Sequence, residues 1–291
     1  MQACVNPFAP LGNCAAPGEE LAPLAHPAPL CDGHGRVVRY LRLSVTERCN
    51  LRCAYCRSEI NQKFIPHPKV LRYEEMARLV GMMAALGVSK VRLTGGEPFA
   101  RKGCDELLHM LHTRYPSLDL RLTTNGTLLE EKREILLNAP GLHKVNISLH
   151  AFEANDLSVP FETYLSRCFS FGQAAEGNFL VVYRLWNGGG AEQRNPEILS
   201  AMERAFPAPW DVQPRGTQIA RRVYLEYGDK FDWPDLSAPD GGERAFCHGL
   251  RDQVGILCDG TVVPCCLDHE GDIALGNLFE TTLEEIWETP R

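Results

Sequence analysis

Three cysteines fall within eight residues, at Cys49, Cys53 and Cys56, directly after the alternating run Tyr40-Leu41-Arg42-Leu43-Ser44-Val45. The run has the period of a strand, so the cysteines belong to the loop that leaves it. Thiolates are soft ligands that suit iron–sulfur clusters or zinc, and a four-iron cube takes one thiolate per iron. Three local thiols leave one iron with an open position, whereas a structural site closes its shell with a fourth protein ligand. A zinc loop completed by His67 or a later cysteine is the competing reading, although zinc loops more often use Cys-x2-Cys pairs.

The rest of the chain bounds where such a loop can operate. At 291 residues, 44% hydrophobic and 23% charged, the sequence has the composition of a globular protein with a substantial core. A formal charge of −7 argues against a broad nucleic-acid or anionic-membrane surface. No apolar run approaches the roughly 20 residues of a membrane-spanning helix. Residues 1–34 are rich in Ala and Pro, without a basic start or an unbroken apolar stretch, and do not read as a secretory signal; the expected location is the cytoplasm. Twelve cysteines in a chain of this kind point to metal or redox use rather than to disulfides.

From residue 36 onward the pattern alternates strand and helix, which favours a parallel sheet with crossover helices. Strands are expected at 36–45, 90–94, 119–124, 144–149, 179–185 and near 222–227, and helices at 73–86, 104–114, 128–138, 161–175 and 196–206. Residues 207–218 and 228–244 break the pattern. Six strands are too few for a full eight-stranded barrel. In such folds functional groups sit at the C-terminal ends of parallel strands. There the sequence places Thr94-Gly95-Gly96-Glu97-Pro98, Thr124-Asn125-Gly126, Asn146-Ile147-Ser148-Leu149-His150 and Arg184-Leu185-Trp186. A strand-end Arg184 suits a bidentate carboxylate contact, or else a structural ion pair. The run Gly188-Gly189-Gly190 lacks the Lys-Ser/Thr ending of a P-loop and reads as a loop.

Cys49-x3-Cys53-x2-Cys56 with Tyr55 before the third cysteine resembles the motif of the radical S-adenosylmethionine (SAM) superfamily. The preceding stretch 35–48 is similar to the entry strand of its molybdenum-cofactor GTP cyclase branch. The resemblance covers roughly residues 36–288 and implies an α/β fold, a partial (β/α)6 TIM-like barrel with a small cysteine-containing C-terminal extension. Residues 1–35 read as an irregular arm, and the break at 228–244 marks the boundary between a core at 36–240 and an auxiliary segment at 241–291. The cofactors implied by the resemblance are a [4Fe-4S] cluster on Cys49, Cys53 and Cys56 and SAM at the open iron. Tyr55, Gly95, Gly96, Glu97, Pro98, Asn125, Ser148 and Arg184 would surround SAM, with Glu97 holding its amino group. His150 stands where related enzymes often have Asp, so no acidic role carries over to it.

Residues 253–264 read as a hairpin turning at Asp259-Gly260 and delivering Cys265 and Cys266. Cys247-x12-Gly260-x4-Cys265 looks like the opening of the SPASM or Twitch extensions, which hold auxiliary iron–sulfur clusters. No cysteine follows Cys266 within these residues, so either further cysteines lie beyond Arg291, or an auxiliary cluster draws on Cys258 or Cys266, or none assembles. The resemblance implies reductive cleavage of SAM to a 5′-deoxyadenosyl radical that abstracts hydrogen from a substrate, with an electron donor such as flavodoxin or ferredoxin. The SPASM-like tail favours a peptide or protein side chain as substrate. The cyclase-like strand supports a small metabolite or nucleotide instead. A non-catalytic iron–sulfur electron-transfer module is the reading from another class.

Overall fold

The computed structural model describes residues 28–53, 56, 64–150, 159–186, 194–228 and 246–288. Tyr55, Cys4 and Cys14 of the expected arm, the glycine run 188–190 and most of the expected boundary at 228–244 lie outside the described residues.

Strand β1 (Tyr40–Thr46) shows the rule that organises the molecule. Leu41, Leu43 and Val45 are fully buried and share one core with Met76, Leu79, Val80 and Met83 of helix α1 (Tyr73–Ala85), while Arg42 and Ser44 alternate to the opposite face. The strand expected from residue 36 begins at Tyr40, because residues 36–39 make only an isolated bridge, Val37 to Cys31. Helix α1 opens with the Glu75 carboxylate accepting the Arg72 backbone N–H at 2.7 Å and ends before Gly87, whose φ of 99° is the left-handed value of a helix stop.

The alternation then runs β2 (Lys90–Gly95), α2 (Cys104–Arg114), β3 (Asp119–Thr124), α3 (Leu129–Leu137), β4 (Leu142–Ser148), α4 (Phe161–Ala174), β5 (Leu180–Trp186) and α5 (Asn195–Ala205). A hairpin of β6 (Asp211–Gln213) and β7 (Gly216–Ala220) leads into β8 (Val223–Gly228). After the undescribed stretch come β9 (Gln253–Ile256), β10 (Thr261–Val263), β11 (Gly276–Asn277) and helix α6 (Leu283–Glu288). All eleven strands form one sheet in the order β11-β10-β9-β1-β2-β3-β4-β5-β8-β7-β6. The six expected strands are β1 to β5 and β8, paired in parallel, and the sheet is open, not a closed barrel.

One part departs from expectation. Residues 207–218, read as a break, contain the β6–β7 hairpin; β6 is exposed along its whole length, so no alternation betrays it. The C-terminal segment joins the same sheet. Its strand β9 pairs in parallel with β1, Leu41 opposite Val254 and Leu43 opposite Ile256, which continues the sheet beyond the first strand. Trp287 of α6 ties the segment down further by donating its indole N–H to the Cys31 carbonyl at 2.7 Å. No helix among the described residues is long and apolar enough to cross a membrane.

Candidate cofactor and substrate site

The C-terminal ends of β1 and β2 are fused by Gly95 and Gly96. A Cβ on Gly95 would lie 2.2 Å from the Thr46 carbonyl oxygen, and one on Gly96 would lie 2.3 Å from that of Arg48. Only glycine lets the two backbones approach this closely. The approach is closed by Gly96 N–H donating to Thr46 O at 2.7 Å and Glu97 N–H to Arg48 O at 2.9 Å. The Gly-Gly pair thus fixes the chain that enters the cysteine loop one residue before Cys49.

Glu97 is fully buried, and its carboxylate turns away from the cavity. It accepts from Phe99 N at 3.3 Å, Thr124 Oγ1 at 2.9 Å and Asn125 N at 2.7 Å. Burial pushes its pKa up to about 7, against the opposing pull of these three donors. The carboxylate thereby ties β2 to the end of β3, and the neighbouring Pro98 is buried as well.

The loop after β3 braces the cysteine loop. Asn125 Nδ2 donates to Asn50 Oδ1 at 2.9 Å and toward Cys49 Sγ at 3.7 Å, and Asn50 Nδ2 donates to Thr127 Oγ1 at 2.7 Å. Thr127 closes the ring by donating from Oγ1 to Asn125 Oδ1 at 2.7 Å. Leu51 N–H adds a second donor to the Cys49 sulfur at 3.4 Å. Burial raises the Cys49 thiol above its ordinary pKa, and the Leu51 and Asn125 donors pull against that rise. Cys53 is buried with Leu51, and Cys49 and Cys56 pack against them.

The facing wall comes from β4 and β5. Ser148 pairs in register with Arg184, and both line the cavity. His150 stacks on Trp186 with ring centroids 4.4 Å apart and bonds through Nδ1 to the Arg184 carbonyl at 3.0 Å. A carbonyl only accepts, so Nδ1 carries the proton. Burial lowers the His150 pKa to about 4, leaving the ring neutral near pH 7.

Below this rim lies a feature that residue-by-residue reading missed. Arg-Leu-Ser/Thr recurs at 42–44, 92–94 and 121–123, and the register aligns Arg42 with Arg92, Arg92 with Arg121, and Arg121 with Lys144. Arg121 pairs with Asp119 at 2.6 Å and Lys144 with Glu226 at 3.1 Å. Among the described residues Arg92 bonds to neutral groups, the Tyr40 hydroxyl and Thr123 Oγ1, the latter at 3.0 Å. Arg42 Nε is buried without a hydrogen-bond partner, and among the described residues no carboxylate pairs with Arg42, Arg92 or Arg184.

The C-terminal segment supplies the opposite side of the same space. Leu257, Cys258, Asp259, Cys266, His269 and Glu270 line it together with the cysteine loop, enclosing about 710 Å³. The four C-terminal cysteines are divided between two surroundings. Cys258 and Cys266 face this cavity, with burial raising Cys258 to about 11 and Cys266 above its ordinary value. Cys247 is exposed and accepts from Gly249 N at 3.2 Å, while Cys265 accepts from Leu267 N at 3.4 Å. Among the described residues no three His, Cys, Asp or Glu side chains stand close enough together to hold a metal ion. This holds for Cys49, Cys53 and Cys56 as much as for Cys247, Cys258, Cys265 and Cys266.

For the first loop the chemistry of the donors fits a cluster: three thiols on one cavity-lining loop, two N–H groups aimed at one of the sulfurs, and a backbone cradle that any Cβ would fill. The sequence model of the radical SAM superfamily matches residues 43–168, and that of the SPASM iron–sulfur cluster-binding domain matches residues 247–291.

Residues 43–168 are a radical SAM domain.

The chain's cofactors are accordingly a [4Fe-4S] cluster, SAM and the additional iron–sulfur binding of a SPASM domain. The GTP 3′,8-cyclase of Campylobacter fetus is 48% identical over 124 residues, which is 43% of this chain and 38% of that protein. That of Petrotoga mobilis is 42% identical over 149 residues, 51% of this chain and 44% of its own. The matched stretch thus spans less than half the length of these relatives. Among solved structures, Streptococcus suis SuiB bound to precursor peptide SuiA has a TM-score of 0.60 at 14% identity, covering 88% of this chain and 66% of that one. BtrN in complex with AdoMet and 2-DOIA has a TM-score of 0.50 at 15% identity, covering 87% and 83%. At these identities the two structures speak for the fold alone.

Proposed function

We propose that this chain is a radical SAM enzyme acting on a small anionic substrate of the nucleotide class. The observation that carries the reading is the set Arg42, Arg92 and Arg184, for which no carboxylate partner is found among the described residues and of which Arg42 and Arg184 line the cavity, in a chain whose net charge is −7. Partly buried guanidinium groups without carboxylate partners are costly to keep, and a phosphate or carboxylate ligand would offset that cost through charge-assisted, bidentate hydrogen bonds. The relatives named GTP 3′,8-cyclase support the same class. The peptide or protein side chain expected from the tail has less behind it, since the likeness to a peptide-bound structure is one of fold.

In this reading Cys49, Cys53 and Cys56 hold the cluster. Gly95, Gly96, Asn125 and Ser148 border SAM, and Arg184 faces either its carboxylate or the substrate anion. When bound, the cluster and SAM supply hydrogen-atom abstraction from an unactivated carbon. The chain orients the substrate on Arg42 and Arg184 and closes the cavity with residues 257–271, which keeps water from the reacting carbon. A flavodoxin- or ferredoxin-like donor would provide the electron.

The test is anaerobic incubation of reconstituted protein with SAM and dithionite, with 5′-deoxyadenosine as the readout. Nucleoside phosphates are expected to accelerate its formation where uncharged nucleosides do not. Arg42→Met is expected to raise the nucleotide concentration for half-maximal stimulation at least about tenfold, the worth of one hydrogen bond to a charged group. Equal stimulation by uncharged nucleosides, or stimulation by peptides alone, would overturn the reading.

A further inference from the structure

Every hydrogen-bonding group of the Asn125 carboxamide is accounted for, and the accounting fixes its direction. Oδ1 faces the Thr127 backbone N–H at 3.0 Å, a group that only donates, so the NH2 end must face Asn50 and Cys49. Thr127 Oγ1 accepts from Asn50 and donates to Asn125, so the three side chains form a closed ring with a single consistent sense. The backbone of Asn125 is held as firmly, its N–H on the buried Glu97 carboxylate at 2.7 Å and its carbonyl on the Tyr164 hydroxyl at 2.7 Å. One amide proton is left for the Cys49 sulfur.

We propose that Asn125 is a positioning residue for the cluster, with its carboxamide N–H hydrogen-bonded to the Cys49 sulfur and aimed there by the Asn50–Thr127 ring. Hydrogen bonds to ligating sulfurs are one of the protein's means of setting a cluster's reduction potential, because they stabilise the more negative, reduced form. Asn125 thereby makes the cluster easier to reduce. The Thr-Asn-Gly segment, set beside the SAM pocket by the family resemblance, acts here on the metal ligand itself.

The test compares reconstituted wild type with Asn125→Leu, which keeps the bulk of the side chain and removes its donors. The cluster midpoint potential, read by EPR-monitored redox titration, is expected to move to a more negative value, and iron release to a chelator is expected to quicken severalfold. Asn50→Leu, a change at an exposed position that leaves the Asn125 amide without its aim, is expected to shift both in the same direction by less. An unchanged potential in Asn125→Leu at full cluster loading would overturn the assignment. So would loss of loading in both variants with native circular dichroism, because Asn125 would then serve the loop's folding alone.

Discussion

The cysteine loop at 49–56 borders the cavity with all three of its thiols, whereas of the four cysteines after residue 246 only Cys258 and Cys266 do. The first three lie within eight residues, and their loop is clamped from two neighbouring strands, by Gly95 and Gly96 from β2 and by Asn125 from β3. The last four are strung along a hairpin on the far side of β1, two facing inward and Cys247 exposed. A ligand set made by a short loop needs only its strand ends to be held; one made by a hairpin needs the register of β9, β10 and the turn after it. The first set is therefore braced by neighbouring strand ends, and the second depends on the hairpin register.

The largest effect that would sharpen this contrast is on iron. Cys53→Ala, which removes the buried thiol at the centre of the first loop, is expected to abolish the SAM-responsive EPR signal of the reduced cluster. Cys247→Ala is expected to keep that signal and lose only iron bound at the SPASM segment. Loss of the signal in both would show that the two regions assemble as one unit and would break the comparison.

The same glycine change made in each region comes next. Gly96→Ala sets a methyl 2.3 Å from the Arg48 carbonyl oxygen, where backbone must give way, and is expected to cost more than about 3 kcal/mol of unfolding free energy. Gly260→Ala, at φ 83° in the β9–β10 turn, meets Phe279 at 3.2 Å and is expected to cost about 1 kcal/mol. Chemical denaturation of the cluster-free protein measures both. Equal costs would mean that the strand ends at Gly96 are no more firmly held than the hairpin.

What the sequence showed follows the same division. The parallel strands were legible because apolar residues alternate on each, and the motifs fell at their ends because the chain turns there. The donors around Glu97 were not legible. Two of them, Thr124 and Asn125, are 27 and 28 positions away, and only the β2–β3 pairing brings them close. The aligned row of cations was half legible, since the Arg-Leu-Ser/Thr repeat stands in the sequence but acquires meaning only when the register aligns it. The parallel pairing of β9 with β1 had no local signal at all, because a crossover of some two hundred residues leaves no trace in a window of ten.

The third effect is on pH dependence, and two residues of the first region oppose each other in it. Glu97, with its pKa raised by burial from 4.5 to about 7, favours folding fully below pH 4.5 and loses that contribution, about 3 kcal/mol, as pH rises through 7. His150, lowered by burial from 6.5 to about 4, favours folding above pH 6.5 and loses its contribution as pH falls through 4. Between pH 4.5 and 6.5 the two slopes have opposite signs, so the wild-type chain is expected to be nearly level there. Glu97→Gln should uncover a loss of stability on acidification, and His150→Gln a loss as pH rises. In the C-terminal segment the Asp252 carboxyl is lowered by its His248 hydrogen bond but sits in solvent, where screening leaves little to measure. Denaturant midpoints of the cluster-free protein across this range check all three. If His248→Gln altered the profile as much as either core variant, the two regions would not differ in their electrostatics, and the contrast would rest on packing alone.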